Sequence, residues 1–351
     1  MNYKNNKKTV IAMSGGVDST TVVVLLRKEG YEVAGVTGIM HAGMREAAYN
    51  ASEACKTLGI EHHIVDLREE FNTAVINSFE ESYKKGLTPN PCTVCNKLIK
   101  WGSLADYAFD KMNADFYSTG HYARILKTEN SYRLYKGADP KKDQSYMLFA
   151  LTQKQLSRTI FPLGNMNKPE VKQIARENQL VSADSKESQD VCFISPPETV
   201  QSYLISKFGE QEGEIVDYKT GKVLGTHKGA FNFTTGQRKG IGVSASEPLY
   251  VISTDPVGNK IYVAFKELLS SREFDVENVN WQQEEYADMQ EFSAMTKIRY
   301  NSAAQEAVIT KTGENSVRVK FKEPKSAVTP GQAAVFYDMN DEYVLCGGWI
   351  K

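Results

Sequence analysis

The sequence predicts an α/β fold: a doubly wound, mostly parallel sheet, followed by a small β-rich segment and a small antiparallel barrel or sandwich. Three observations predict it. Strand-like and helix-like runs alternate through the first half, with glycines closing several helices. A Ser14-Gly15-Gly16 turn sits where the first strand should pass into the first helix. After Pro196-Pro197 the pattern changes to short, Gly-rich alternating segments.

In order, Thr9–Met13 reads as a strand, Ser19–Glu29 as a helix closed by Gly30, and Glu32–Val36 as a second strand. Glu46–Leu58 is a helix closed by Gly59, His62–Val65 a strand, and Phe71–Lys85 a helix ending at Gly86. Asn96–Met112 is expected as a helix, Phe116–Thr119 as a strand, and Gln153–Arg158 and Pro169–Asn178 as helices. Gly213–Val216, Lys222–Gly225, Phe231–Thr234, Tyr250–Ser253 and Lys260–Val263 read as short strands. The last strands are Met295–Tyr300, Ala307–Thr310, Val317–Phe321, Ala333–Tyr337 and Tyr343–Leu345. Boundaries near Pro197 and Ser270 divide the chain into residues 1–197, 198–270 and 271–351. In such a sheet a ligand site lies at the carboxyl ends of the strands, where Ser14–Ser19 and Thr119-Gly120-His121 both fall.

Bulk properties exclude more than they assign. Hydrophobic content of 41% and charged content of 24% are those of a soluble globular protein. The polar, basic start Met1–Lys8 carries no signal-peptide pattern and no run approaches membrane-spanning length, so a cytoplasmic protein is expected. A net charge of −1 gives no global attraction to nucleic acid, although a local basic surface would suffice. Candidates are Lys141-Lys142, Arg238-Lys239, Lys297 with Arg299, and the group Lys311, Arg318, Lys320, Lys322 and Lys325, each of which, taken alone, reads first as a solvated charged face.

Two motifs carry chemistry. In Ala12-Met13-Ser14-Gly15-Gly16-Val17-Asp18-Ser19, the glycines let the backbone turn and leave no side chain in a ligand's way. Freed N–H groups and a helix N-terminus then make an anion site suited to phosphates, and the Walker pattern is absent. Thr88-Pro89-Asn90-Pro91-Cys92-Thr93-Val94-Cys95 is an extended, proline-held approach to the helix expected from Asn96. A thiol at a helix N-terminus, with Lys97 and Lys100 one turn on, is expected to have a lowered pKa. No second C-x-x-C or His pair completes a zinc knuckle. Cys55 and Cys346 read as small core residues, whereas Cys192, in Ser188-Gln189-Asp190-Val191-Cys192-Phe193-Ile194, stands far from the C-x-x-C pair.

The order of S-G-G-V-D-S, T-P-N-P-x-x-x-C-N-K, T-G-H-Y-A-R, K-D-Q-S-Y, S-Q-D-x-C-F-I, G-Q-R-K-G-I-G and T-P-G-Q-A-A-V-F-Y resembles the bacterial tRNA-specific 2-thiouridylases over residues 9 to 351. The resemblance implies a Rossmann-like PP-loop domain, a small central domain and a C-terminal β-barrel. It implies that Ala12, Met13, Ser14, Gly15, Gly16, Val17, Asp18, Ser19, Met40 and Gly120 hold ATP, with Mg2+ on the phosphates. It further implies that Asn90, Pro91 and Cys92 meet a flipped wobble uridine. His121, Lys142, Asp143, Gln144, Arg299, Tyr300 and Gln332 would contact the tRNA. On this pattern the uracil 2-carbonyl oxygen is adenylated, Cys192 carries a persulfide from a sulfur-donor protein, and Cys95 resolves it as a disulfide that reduction resets. A monomer is expected.

Much of that family has Asp where this chain has Cys92, and His41–Tyr49 lacks the acidic, Cys-containing segment often found there. The Cys92 difference opens an alternative in which Cys92, Cys95 and Cys192 hold a 4Fe–4S cluster that delivers hydrosulfide. A PP-loop ligase adenylating a small metabolite would need neither paired cysteines nor an RNA-binding β-domain. A non-catalytic RNA-binding protein would not need the intact Ser14–Ser19 loop.

Overall fold

The computed structural model describes residues 7–184 and 191–351. The chain forms two compact units. The first comprises residues 1–76, 92–193 and 342–344, and the second residues 77–91, 194–341 and 345–351.

The first unit is built on a five-stranded parallel sheet. Its strands are β1 (Lys8–Ala12), β2 (Glu32–Ile39), β3 (His62–Asp66), β4 (Phe116–Ser118) and β7 (Thr159–Ile160), in the order β3-β2-β1-β4-β7. Between β4 and β7 the chain makes an antiparallel hairpin of β5 (Ala123–Lys127) and β6 (Tyr132–Lys136). Helix α1 (Val17–Lys28) follows β1 and helix α2 (Arg45–Leu58) follows β2, ending on Gly59 in the left-handed region. Val22, Val23 and Leu26 of α1 pack with Ile11, Val33, Ala51 and Cys55 in a continuous core. The apolar periodicity of these helices is therefore the imprint of one buried stripe against the sheet.

The strand order positions the site. The chain runs outward from β1 through β2 to β3, then returns to the other side of β1 with β4. The order reverses between β1 and β4, so the crevice opens at their carboxyl ends, beneath residues 13–19 and 119–121.

In the second unit, the helices Asn77–Lys84 and Val200–Phe208 accompany a four-stranded sheet and a barrel. The sheet is ordered β10 (Tyr250–Asp255), β11 (Lys260–Ala264), β8 (Gly213–Asp217), β9 (Val223–His227). The closed barrel runs β12 (Ser270–Trp281), β15 (Ser316–Ser326), β14 (Gln305–Gly313), β13 (Glu291–Lys297), β16 (Ala333–Tyr337), β17 (Val344–Ile350). Between barrel and sandwich, closure decides for the barrel, which leaves no strand edge unpaired.

Two local expectations are corrected and one helix is added. The helix expected over Phe71–Lys85 is three consecutive pieces, Arg68–Phe71, a π-helical stretch Asn72–Ile76, and Asn77–Lys84. Phe231–Thr234 is not a strand: Phe231 and Asn232 lie in a 3-10 turn, Ala230–Asn232, entered through Gly229 at φ 132°. Val200–Phe208 was not expected as a helix, yet its signals are local: a Thr199/Ser202 capping box and Gly209 at φ 73°.

Candidate active site

The loop after β1 is fixed at both ends by backbone chemistry. Met13 N–H donates to the Val36 carbonyl at 2.8 Å, and the Thr37 hydroxyl donates to the Met13 carbonyl at 2.8 Å. Gly15 takes φ 75°, and a Cβ there would meet Ala51 N at 3.0 Å and the Ala47 carbonyl at 3.1 Å. Glycine is thus required twice over, by conformation and by the closeness of α2. Gly16, with φ −84° and ψ 167°, is the N-cap of α1 and offers no capping side chain. The Ser19 hydroxyl folds back on the Gly16 carbonyl at 3.1 Å and accepts from Ser14 N–H at 3.3 Å. The result is a serine-lined turn at a helix N-terminus, suited to polyphosphate.

Asp18, in the first turn of α1, is the charged centre of this loop. Lys168 Nζ lies 2.8 Å from both carboxylate oxygens, and the Tyr122 hydroxyl donates to Oδ1 at 2.7 Å. From the β4 side Gly120 closes in: a Cβ there would stand 2.9 Å from Asp18 Cβ and 3.2 Å from Ser19 N. Gln144 braces Tyr122 from behind, its N–H donating to the Tyr122 carbonyl and its Oε1 accepting from Tyr122 N–H, both at 2.9 Å. Asp143 is buried and accepts from Gly137 N, Ser145 N and Ser145 Oγ, each at 3.0 Å. Lys142 N–H donates to the Asp139 carbonyl. The Lys142-Asp143-Gln144 turn therefore supports the Asp18 network from inside the first unit.

The thiols differ from expectation. The helix begins at Pro91, not Asn96, because proline at the first helical position fits the turn and lacks only an N–H that would be orphaned anyway. Cys92 therefore sits near the helix start and is exposed, whereas Cys95 lies a turn inside and is buried. Cys95 Sγ approaches Met40 Sδ at 3.9 Å. Burial pushes the Cys95 thiol up to about 12 against a smaller opposing pull from Lys100, with Cys192 and Cys92 adding to the rise. The expected lowering is overturned there: desolvation exceeds the helix and lysine effects. Cys192 is exposed, yet burial of its surroundings and then Cys92 still raise its thiol. These mutual influences place the three sulfurs within electrostatic range of one another. Ser188, Gln189 and Asp190 of the Cys192 motif lie outside the described residues. Among the described residues no group of three or more His, Cys, Asp or Glu is arranged to hold a metal ion, so nothing there supports the 4Fe–4S alternative.

The remaining expected residues are placed as follows. His121 is buried, bonded through Nδ1 to Thr119 Oγ1 at 2.7 Å and set beside Trp101 with ring centres 5.4 Å apart. Burial, then Lys100, holds its imidazole well below the usual range, so it stays neutral. In the second unit, Gln332 Nε2 donates to the Thr88 carbonyl at 2.9 Å, holding the segment that ends in Asn90 and Pro91. Arg299 donates to the Thr235 carbonyl at 3.1 Å and to Thr329 Oγ1, and Tyr300 lies beneath the Lys297 ammonium at 5.5 Å. The basic group on the barrel is largely neutralised: Arg318 pairs with Asp275 at 2.8 Å, Lys320 with Glu273 at 2.9 Å and Lys322 with Glu306 at 2.6 Å.

Residues 7–196 match the tRNA methyl transferase HUP domain, 201–265 the tRNA methyl transferase PRC-barrel domain, and 271–350 the aminomethyltransferase beta-barrel domain. The tRNA-specific 2-thiouridylase MnmA of Nostoc sp. strain PCC 7120 is 41% identical over 355 residues, covering 98% of this chain and 99% of that protein. Its namesake from Syntrophomonas wolfei subsp. wolfei is 44% identical over 349 residues, with 98% and 99% covered. The chain belongs to the MnmA family of tRNA-specific 2-thiouridylases. Among solved structures, a 4-thiouridine synthetase–RNA complex with bound ATP aligns at a TM-score of 0.37 and 18% identity, over 57% of this chain and 49% of that one.

Membership in the MnmA family, an ATP-using PP-loop family, implies that the chain binds ATP. Sequence reasoning did not single out Lys168 or Tyr122. The Asn167/Glu170 capping box marks the start of the helix Lys168–Glu177, but nothing local says that its first residue reaches Asp18. That follows from packing: Val171 belongs to the core shared with Val22 and Val23 of α1, and Lys168 lies three residues before it on the same face. Among the described residues no helix is long and apolar enough to cross a membrane.

Proposed function

We propose that this chain is an ATP-dependent tRNA-uridine 2-sulfurtransferase, adenylating the 2-carbonyl oxygen of the wobble uridine and replacing it with sulfur. The observation that carries the reading is the presence, in one compact unit, of the Ser14–Ser19 loop at a helix N-terminus and of three free cysteines, Cys92, Cys95 and Cys192. Relatives named tRNA-specific 2-thiouridylase, matching over nearly their full length, support the substrate.

In this reading Ala12, Met13, Ser14, Gly15, Gly16, Val17, Asp18, Ser19, Met40 and Gly120 bind ATP. Asp18 and the Ser14 and Ser19 hydroxyls are hard oxygen donors of the kind that Mg2+ takes, and the ion would neutralise phosphate charge when bound. The α1 N-terminus stabilises the polyphosphate, and the oxygen that leaves carbon 2 departs as part of AMP rather than as hydroxide. Cys192, an exposed thiol, receives a sulfane sulfur from a donor protein, and its terminal sulfur attacks the activated carbon. Cys95 then attacks Cys192 Sγ. The sulfur–sulfur bond to the base breaks, the 2-thiouridine leaves, and a Cys95–Cys192 disulfide remains for reduction. Because Cys95 is buried and neutral, it resolves only after the helix start moves or opens. Asn90, Pro91 and Cys92 receive the base, and His121, Lys142, Asp143, Gln144, Arg299, Tyr300 and Gln332 serve the tRNA, several of them by bracing loops. Residues 1–197, 198–270 and 271–351 act as three domains of a cytoplasmic monomer.

The test is Cys192→Ser. ATP–pyrophosphate exchange in the presence of tRNA is expected to persist while thiolation, read by mass analysis of the tRNA, falls at least 1,000-fold, on the order of what loss of a covalent nucleophile removes. Thiolation at the wild-type rate would remove Cys192 from the mechanism.

A further inference from the structure

The phosphate loop holds a charged partner that no motif marks. Lys168 Nζ sits 2.8 Å from both oxygens of Asp18, in a pair whose side chains are 10% and 28% exposed. Its position is built rather than incidental. Lys168 opens a helix fixed by a reciprocal Asn167/Glu170 cap, its own N–H donates to Asp139 Oδ2 at 3.3 Å, and its ammonium lies 5.9 Å from the Tyr122 ring centre. Asp18 is equally immobile, clamped by the Tyr122 hydroxyl and by the approach of Gly120.

We propose that Lys168 is a further nucleotide-binding residue, whose ammonium leaves Asp18 for the β- and γ-phosphates when ATP occupies the loop. This rests on the reading of Ser14–Ser19 as the ATP site. A carboxylate in the first turn of α1 would repel a polyphosphate from the same N-terminus that attracts it. The Lys168 ammonium cancels that charge at the crevice where the strand order reverses between β1 and β4. An arriving polyphosphate is a richer acceptor than one carboxylate, and the donor is already desolvated and within a side chain's swing. A lysine serving only to hold two helices together would not need to stand on the one acidic residue of this loop.

Binding measured calorimetrically on the full chain separates the cases. For Lys168→Met, affinity for ATP and for inorganic pyrophosphate is expected to fall about 30-fold, the loss of one charge-assisted contact, while AMP affinity changes less than about 3-fold. Lys168→Arg keeps the charge and is expected to retain most of the ATP affinity. Equal losses for ATP and AMP, or no loss for either, would overturn the proposal and leave the loop as the ATP site. Wild-type protein that binds neither ATP nor pyrophosphate would overturn both. Where Lys168→Met does not fold, a crystal structure of the unaltered chain with a non-hydrolysable ATP analogue decides. Nζ within hydrogen-bond distance of a phosphate oxygen supports the exchange, and Nζ still on both Asp18 oxygens refutes it.

Discussion

The Asp18–Lys168 pair and the ion pairs of the barrel have similar distances and opposite significance. Lys320 and Glu273 meet at 2.9 Å, Lys322 and Glu306 at 2.6 Å, but their side chains are 63%/48% and 65%/32% exposed. Water and salt screen such pairs, and each contributes little. Lys168 is 10% exposed, and its partner is fixed by a tyrosine and a glycine contact. The same Coulomb attraction acts there through a medium that screens it less. The lesson is that charge becomes function where the backbone excludes water around it, not where charged residues are most numerous.

The strongest challenge to that contrast is a single methyl group. Gly120→Ala would set a Cβ 2.9 Å from Asp18 Cβ and 3.2 Å from Ser19 N, contacts that real Cβ atoms do not tolerate without movement. The first turn of α1 must shift, so ATP affinity is expected to fall at least 10-fold and stability by about 1–3 kcal/mol. Calorimetric titration with ATP and thermal unfolding check this. Unchanged ATP affinity would mean that the loop tolerates displacement and that its tight packing is incidental.

Burial separates the thiols in the same way. Cys95, pushed up to about 12, is a neutral thiol through the physiological range, with thiolate at about one part in ten thousand near pH 8. Since only the thiolate reacts, its alkylation rate is expected to rise about tenfold per pH unit from 7 to 10 without levelling off. Exposed Cys192 should react before Cys95 at every pH, as peptide mapping after iodoacetamide treatment would read. A Cys95 rate that plateaus below pH 9 would show that the helix-start and Lys100 effects exceed desolvation after all.

These contrasts mark where the sequence was legible. The parallel sheet, α1 and the Ser14–Ser19 turn could be read because local rules and tertiary structure agree there: apolar runs, glycines at positive φ, a helix start. The start of the Cys92–Cys95 helix was misplaced because two prolines signal extension until one of them occupies the first helical position. That slip left Cys95 at the helix start instead of its interior, and burial, which no local rule shows, reversed the direction of its pKa. Lys168 was invisible for another reason. Its role depends on which helix Val171 packs against, and 150 residues separate it from Asp18. The basic residues of the barrel could be read only as far as solvated charged faces, since a count of basic residues cannot see the acidic partners on neighbouring strands.

The smallest expected effect is the one that would most directly break the comparison. Lys320→Ala removes an exposed ammonium whose partner Glu273 faces it across the β12–β15 pairing. Stability is expected to change by about 0.5 kcal/mol or less. Binding of tRNA, followed as a function of salt, should keep its slope, because a lysine already paired with glutamate displaces no counterion from RNA. If Lys320 instead left Glu273 to neutralise a phosphate, the slope of log K against log salt would fall by about 0.7 to 0.9 for that one contact. A fall of that size would make the barrel face a true RNA surface, its ion pairs a resting state that RNA dismantles. The barrel pairs would then stand to RNA as the Asp18–Lys168 pair stands to ATP.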